Sequence, residues 1–424
     1  MIRRCIQLGI AWAIGPLAAP AAEAPDPSLL ERLDPLVFEV PAVHSHSSHD
    51  RGSVKAVFFD SVPHDGKKKR VFAYLGIPES DKPVPGMVLV HGGGGTAFYE
   101  WVKLWNDRGY AAIAMDLEGH LPKDAATGRG RLSHDHSGPS RVGRFGDAER
   151  PLEAQWMYHA VSDIFVAHTL LASLPEVDAD RIGMTGISWG GILSSLVSGI
   201  DARYKCAIPV YGCGYLYESH GHFSSVRTEA EKFWDPARHF ANGTVPTLWV
   251  NGDGDGHFSV NTTSKSFDVT SDHAWLSIHP GLPHGHGAGW DPVRVPEIYA
   301  FADHQLKGNG PALARIVTQP VGRAIELEYE SESPIEKATV HYLNEPLTYR
   351  KPKDDPKAKH SRPGPWMSME AEVDAMTRTV KARLPDTGMT YYVNLEDARG
   401  LLISSRLVEL EKPEPSSLKP SHAP

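Results

Sequence analysis

Residues 185–191 read TGISWGG, and the runs on either side of them decide the fold. DRIGMTGI (180–187) predicts a buried strand and GGILSSLVSGI (190–200) a helix, so Ser188 falls on the turn between the two. A serine there has two readings. It is an N-cap closing the helix, or a nucleophile held on a sharp bend whose small neighbours leave room for backbone and substrate. The Gly-x-Ser-x-Gly spacing of 186–190, in a strand–turn–helix context, favours the nucleophile.

Outward from this turn, short apolar runs alternate with helical patterns. SVKAVFFDSV (53–62) and KRVFAYLGIPE (69–79) predict a hairpin, and GMVLV (86–90) and AAIAMDL (111–117) two buried strands. FYEWVKLWNDRGY (98–110) predicts a helix ending at Gly109, and a longer helix starts near Glu153. CAIPVYG (206–212), TVPTLWVNG (244–252) and AWLSIHP (274–280) add strands, and 295–306 a last helix. Strands alternating with helices predict a mostly parallel sheet covered on both faces. The stretch 118–150 is polar, without period, and long enough to suggest a functional loop.

Near Lys307–Gly310 the pattern changes to period two. In RAIELEYE (323–330), Ile325, Leu327 and Tyr329 alternate with glutamates, which predicts a half-exposed strand. The expected organisation is a leader over 1–24, a surface-wrapping segment over 25–53, an α/β domain over 54–308 and a small all-β, sandwich-like domain over 311–411. A disordered tail follows over 412–424.

Composition narrows the partners. A net charge of −9 over 424 residues offers no nucleic-acid footprint. The basic run KKKR (67–70) follows His64-Asp65-Gly66 and reads as a solvated turn between strands. The N-terminus has two arginines, a short apolar run and an Ala-x-Ala-type site near 19–24, which predicts a cleaved secretory signal and a secreted or periplasmic protein. No segment predicts stable membrane insertion. Beyond the leader stand Cys206 and Cys213, too far apart along one strand for a disulfide, so free buried thiols are expected.

Three further clusters carry chemistry. HGGGG (91–95) ends the strand GMVLV, and its glycines let backbone N–H groups approach a carbonyl oxygen that gains negative charge. It fits neither a phosphate loop nor a dinucleotide fingerprint. The expected donors are the N–H of Gly93 or Gly94 together with that of Trp189. A serine hydroxyl also needs a base and an orienting acid, in chain order serine, acid, histidine. WVNGDGDGHF (249–258) supplies Asp255, with Asp253 as the alternative that would point into the tight turn. IHPGLPHGHGAGW (278–290) supplies His284, with His286 as the alternative and His279 still within the strand. All lie at C-terminal strand ends, where open α/β sheets build their sites. Asp116 precedes Ser188 and reads as a loop-fixing turn residue. Trp101, Trp105, Trp156 and Tyr158 read as core, and Tyr99 as a pocket residue with Trp189.

Taken together, these four motifs in this order resemble the α/β-hydrolase superfamily over roughly 54–307. The branch resembled is that of secreted acetyl-xylan-esterase, dienelactone-hydrolase and prolyl-oligopeptidase-like serine hydrolases. The resemblance implies that Ser188 attacks a carbonyl, His284 takes its proton, Asp255 orients the imidazole and water hydrolyses the acyl-enzyme. No metal or organic cofactor is implied. Metal binding by His44, His46 and His49, by His134 and His136, or by His220 and His222 lacks helical ligand spacing, and these read as polar loop residues. The expected substrate is a small acyl ester, such as an acetylated polysaccharide. A serine peptidase and a non-catalytic carbohydrate-binding protein on the same fold are the alternatives. Peptidases of this type carry an N-terminal propeller, for which 25–85 is too short.

Overall fold

The computed structural model describes residues 28–124, 130–223, 226–351 and 361–411. The leader and tail expected at 1–24 and 412–424 lie outside them.

The apolar runs assemble into a nine-stranded sheet. Its strands are Val43–Ser45 (β1), Lys55–His64 (β2), Lys67–Gly76 (β3), Val84–Val90 (β4) and Ala111–Met115 (β5). After a small hairpin, His120–Leu121 (β6) with Leu132–Ser133 (β7), come Val177–Ile187 (β8), Cys206–Val210 (β9), Thr247–Gly252 (β10) and Ala274–His279 (β11). The order is β1-β2-β3-β5-β4-β8-β9-β10-β11. From β5 to β11 all neighbours are parallel, whereas β1, β2 and β3 add antiparallel. β4, β5, β9 and β10 are buried at every position, as parallel strands covered on both faces must be.

The helices are Ser28–Arg32 (α1), Tyr99–Asn106 (α2), Trp156–Ala172 (α3), Trp189–Ser198 (α4), Glu229–Phe233 (α5), Val260–Thr270 (α6), His286–Gly289 (α7) and Glu297–Lys307 (α8). α3 is buried from Trp156 to Leu171, because the sheet lies on one side and the N-terminal segment on another, where Thr169 Oγ1 donates to the Val37 carbonyl at 2.8 Å. Trp101, Trp105, Trp156 and Tyr158 are core residues. Cys206 and Cys213 are free and buried, and burial pushes both thiols up to about 12.

Two expectations need correction here. The segment before residue 54 does more than wrap, because β1 pairs with β2 at the sheet edge and Leu29, Leu33 and Val37 enter the core. The KKKR run is not a solvated turn. The β2–β3 turn is Asp65-Gly66, with φ of 49° and 70° as a tight hairpin requires. Lys69 already belongs to β3 and points inward to Asp163 of α3, Nζ to Oδ1 2.6 Å. The loop after β5 covers it, since a Cβ on Gly138 would lie 2.6 Å from Lys69 Cδ.

Beyond α8, which ends at Gly308 with φ 63°, the chain forms an eight-stranded antiparallel sheet. Its strands are Arg315–Ile316 (β12), Ala324–Glu330 (β13), Ile335–Leu343 (β14), Met367–Asp374 (β15), Thr379–Arg383 (β16), Thr390–Asp397 (β17), Leu402–Ser404 (β18) and Val408–Glu409 (β19). They follow the path β12-β13-β16-β15-β14-β17-β18, with β19 also on β17. β13 alternates buried and exposed as its sequence predicts. This sheet docks on β11. Ser404 Oγ accepts from the Ile278 N–H at 2.7 Å, and Asn394 Nδ2 donates to the Ile278 carbonyl at 3.1 Å.

Candidate active site

The parallel order puts the C-terminal ends of β4, β8, β10 and β11 on one rim, and each tip contributes to one cavity. β8 ends at Ile187, and Ser188 follows with φ 60° and ψ −114°, a bend that exposes its hydroxyl while α4 starts at once. The bend depends on close packing. A Cβ on Gly190 would lie 1.9 Å from the Val90 carbonyl oxygen, so only glycine lets α4 approach β4 this closely. Ser188 stands at the N-cap position of α4, but its hydroxyl makes no capping bond, and its N–H donates to the Val210 carbonyl at 2.8 Å.

Ser188 Oγ lies 3.0 Å from His284 Nε2, and His284 Nδ1 lies 2.6 Å from Asp255 Oδ2. An ionised carboxylate only accepts, so Nδ1 carries the proton and Nε2 presents its lone pair to the hydroxyl. Asp255 is almost wholly buried, and its Oδ1 takes the N–H groups of His257 (2.7 Å) and Phe258 (3.1 Å). Those bonds fix the carboxylate and compensate its loss of water. The His284 ring is stacked on His257, centroids 4.1 Å apart, and tilted against Tyr211 at 4.7 Å. The arrangement can take a proton from a serine hydroxyl and return it to a leaving group.

The alternatives have other places. Asp253 Oδ1 accepts the Gly281 N–H at 2.8 Å and Oδ2 the Tyr392 hydroxyl at 3.3 Å, while Trp366 Nε1 donates to the Asp253 carbonyl at 3.0 Å. It therefore ties the β10 turn to the β11 loop and to the second sheet. His286 Nε2 accepts the Gly92 N–H at 2.8 Å, so it must be unprotonated there. Burial, with His91 and His284 nearby, pushes it down to about 3. His279 lies between Ser277 (3.0 Å) and Glu297 (3.2 Å), away from Ser188. Asp116 accepts the N–H groups of Glu118 and His120, each at 2.9 Å, and so fixes the loop.

The glycine loop divides its amides. Gly92 N–H is held by His286, and Gly94 N–H goes to Glu118 Oε1 at 3.2 Å. Gly94 therefore does not line the cavity, against expectation, because that carboxylate takes its amide. The N–H groups of Gly93 and Trp189 have no partner among the described residues and flank Ser188. Burial raises the Glu118 carboxyl, but its bond to Arg131 at 2.7 Å and the charges of His91, Arg131 and Arg141 hold it below the ordinary range.

Ser188 opens into a cavity of about 290 Å³ walled by Arg141, Trp189, Phe223 and Phe258. Tyr99 is not in that wall. It stands at the start of α2, against Tyr74 at 5.9 Å and under the Arg51 guanidinium at 5.5 Å. Sequence reasoning missed Arg141 and Phe223, which come from long segments without period. It also missed His257 and Phe258, although they follow Asp255 by two and three residues. Several histidines read as polar loop residues are packed instead. His46 stacks on His49 at 4.6 Å, and His134 sits against Phe58 at 4.8 Å, where burial pushes it down to about 4. Among the described residues, the one grouping of metal-ligating type is Asp255, His257 and His284, whose ligand atoms lie within 4.8 Å. Two of these are already joined by the 2.6 Å bond.

Two family models match the chain, acetyl xylan esterase over residues 39–220 and the prolyl oligopeptidase family over 146–309. Together they span every rim segment just described. A peptidase of Bacillus subtilis (strain 168), described as the uncharacterized YuxL, is 26% identical over 107 residues, which is 22% of this chain and only 16% of that protein. Among solved structures, acetyl xylan esterase 1 from Thermoanaerobacterium sp. JW/SL YS485 is similar with a TM-score of 0.45 and 15% identity, over 63% of this chain and 90% of its own. The acylaminoacyl peptidase of Pyrococcus horikoshii has a TM-score of 0.46 and 18% identity, over 60% and 42% respectively.

Proposed function

For this chain, which belongs to the α/β-hydrolase superfamily, we propose a serine carboxylic-ester hydrolase acting on small acyl esters such as acetylated polysaccharide. The observation that carries the reading is the relay Ser188 Oγ to His284 Nε2 at 3.0 Å and His284 Nδ1 to Asp255 Oδ2 at 2.6 Å. Ser188 attacks the acyl carbonyl while His284 accepts its proton, and Asp255 stabilises the imidazolium. The oxyanion forms between the N–H groups of Gly93 and Trp189. His284 then protonates the leaving alkoxide and next activates the water that frees the acid.

The ester preference is supported by the acetyl xylan esterase match, which covers the Gly93 loop and Ser188, and by a cavity near the small end of ligand sites. A peptidase is the second reading, supported by the prolyl oligopeptidase match over 146–309. The leader at 1–24, with two arginines, a short apolar run and small residues at its end, supports export. A panel of p-nitrophenyl esters, acetylated xylan and aminoacyl anilides tests the choice. Ester turnover far above anilide turnover is expected, and the reverse order overturns the esterase reading.

A further inference from the structure

The titratable side chains that line the serine cavity are Arg141, His222, His257, His284 and His286. Among the described residues no aspartate or glutamate joins them, although the chain as a whole carries a net charge of −9. Four of the five are imidazoles, so the permanent charge in this wall is that of Arg141, whose side chain is 21% exposed. Its guanidinium is fixed from behind. Nη1 donates to the Gly143 carbonyl, Nε lies 3.5 Å from Glu118 Oε1, and the central carbon stands 4.9 Å from the centre of the Trp189 ring. Nη2 has no partner among the described residues and faces Gly93, 2.8 Å from where a Cβ on that glycine would stand. Glu118 does not cancel this charge, because the same carboxylate takes Arg131 at 2.7 Å and the Gly94 N–H at 3.2 Å. One carboxylate serves two guanidinium groups, and Arg141, the more distant of them, keeps the surplus.

The reacting centre sets a substrate against this surplus. With its carbon on Ser188 Oγ, the ester turns its carbonyl oxygen to the N–H groups of Gly93 and Trp189 and its departing oxygen to His284 Nε2. Arg141 packs on both oxyanion residues, so the half it borders is the acyl half. We propose that Arg141 binds a carboxylate at the far end of that half, and that the preferred substrates are half-esters of short dicarboxylic acids. A carboxylate meets Nη2 in a charge-assisted hydrogen bond that a neutral acyl chain of the same length cannot make, and a cavity of about 290 Å³ holds an acyl group of only a few carbons. The inference rests on the ester-hydrolase reading and narrows its small acyl group to an acidic one.

The test compares monoethyl succinate with ethyl succinamate, in which an amide of the same shape replaces the carboxylate. Ethanol release by the full chain is expected to show a kcat/KM about tenfold higher on the acid. Arg141→Gln should bring that ratio to about one, and Arg141→Lys, which keeps the charge, should hold it at about three. Loss of the bonds to Glu118 and Gly143 lowers the rate on both esters and leaves the ratio alone, so general damage to the loop does not imitate the result. A ratio near one in the parent, or one that survives Arg141→Gln, overturns the proposal. Acetoxyacetate and acetoxyacetamide carry the same difference in the alcohol half, and an acid preference confined to that pair overturns it too. Turnover of p-nitrophenyl acetate with neither succinyl ester hydrolysed also overturns it and leaves the esterase reading standing. Failure on p-nitrophenyl acetate as well removes the esterase reading, and the inference with it.

Discussion

Replacing Lys69 by methionine tests how the buried ion pair under the active-site loop is held. Lys69 and Asp163 leave 2% and 5% of their side chains exposed, and Asp163 Oδ1 also accepts from Ser61 Oγ at 2.5 Å. Burial pushes the Lys69 ammonium down and the Asp163 carboxyl up, and each charge opposes the shift of the other. Lys69→Met removes that opposition and leaves a carboxylate whose remaining donor is neutral. Breaking a buried pair from one side costs about 3–5 kcal/mol. A carboxyl whose folded pKa is raised contributes its stability fully below its unfolded value, about 4, and loses it as pH rises through the folded value. The deficit of the variant should therefore be smaller near pH 5 than near pH 8. Adding Asp163→Leu removes the orphaned acid and should restore stability to within about 1–2 kcal/mol of the parent. Urea unfolding of the parent, both single variants and the double variant at the two pH values measures this. Equal deficits at both pH values, or a double variant as unstable as the sum of the singles, would refute the reasoning.

Three other outcomes are expected. His284→Ala should lower kcat about 10⁴-fold or more. His286→Ala, which releases the Gly92 N–H and removes a ring packed on Phe98 and Trp290, should lower it about 10–100-fold, and the reverse ranking would exchange their roles. Gly93→Ala places a Cβ 2.6 Å from Trp189 Cδ1 and 2.8 Å from Arg141 Nη2. It should therefore cut kcat about 100-fold while the circular dichroism spectrum stays unchanged. Asp253→Ala leaves the Gly281 N–H and the Tyr392 hydroxyl without their acceptor. That should cost about 2–4 kcal/mol in denaturant unfolding, with Tyr392→Phe costing less.

The candidate site was legible because each of its parts announces itself locally. Ser188, Asp255 and His284 each follow an apolar strand within a few residues, among glycines that no helix or strand interior would choose. Choosing His284 over His286 needed only the distance each stands into the loop. What could not be read depends on distant partners. Lys69 looks solvated in KKKR because nothing nearby reveals that Asp163, on a helix 94 residues away, will meet it. Gly94 looks equal to Gly93 until Glu118 takes its amide. Arg141 and Phe223 lie in stretches with no hydrophobic period, and only the folded loops bring them to Trp189, at 4.9 and 5.4 Å. Tyr99 was misplaced for the converse reason, since an aromatic one turn beyond a glycine loop packs on Tyr74 once α2 is laid down.

β11 closes the large sheet, yet among the described residues no further strand pairs with its outer side. The Ile278 amide and carbonyl are occupied instead by a hydroxyl from β18 and a carboxamide from β17. A gene truncated after Lys307 would leave that row of peptide groups bare, a template on which a second truncated copy could add its own edge. Such a fragment should come out of cells as insoluble material rather than as a minimal enzyme. Shortening this protein for expression therefore calls for rebuilding the β11 margin with charge or proline, not for a simple stop codon.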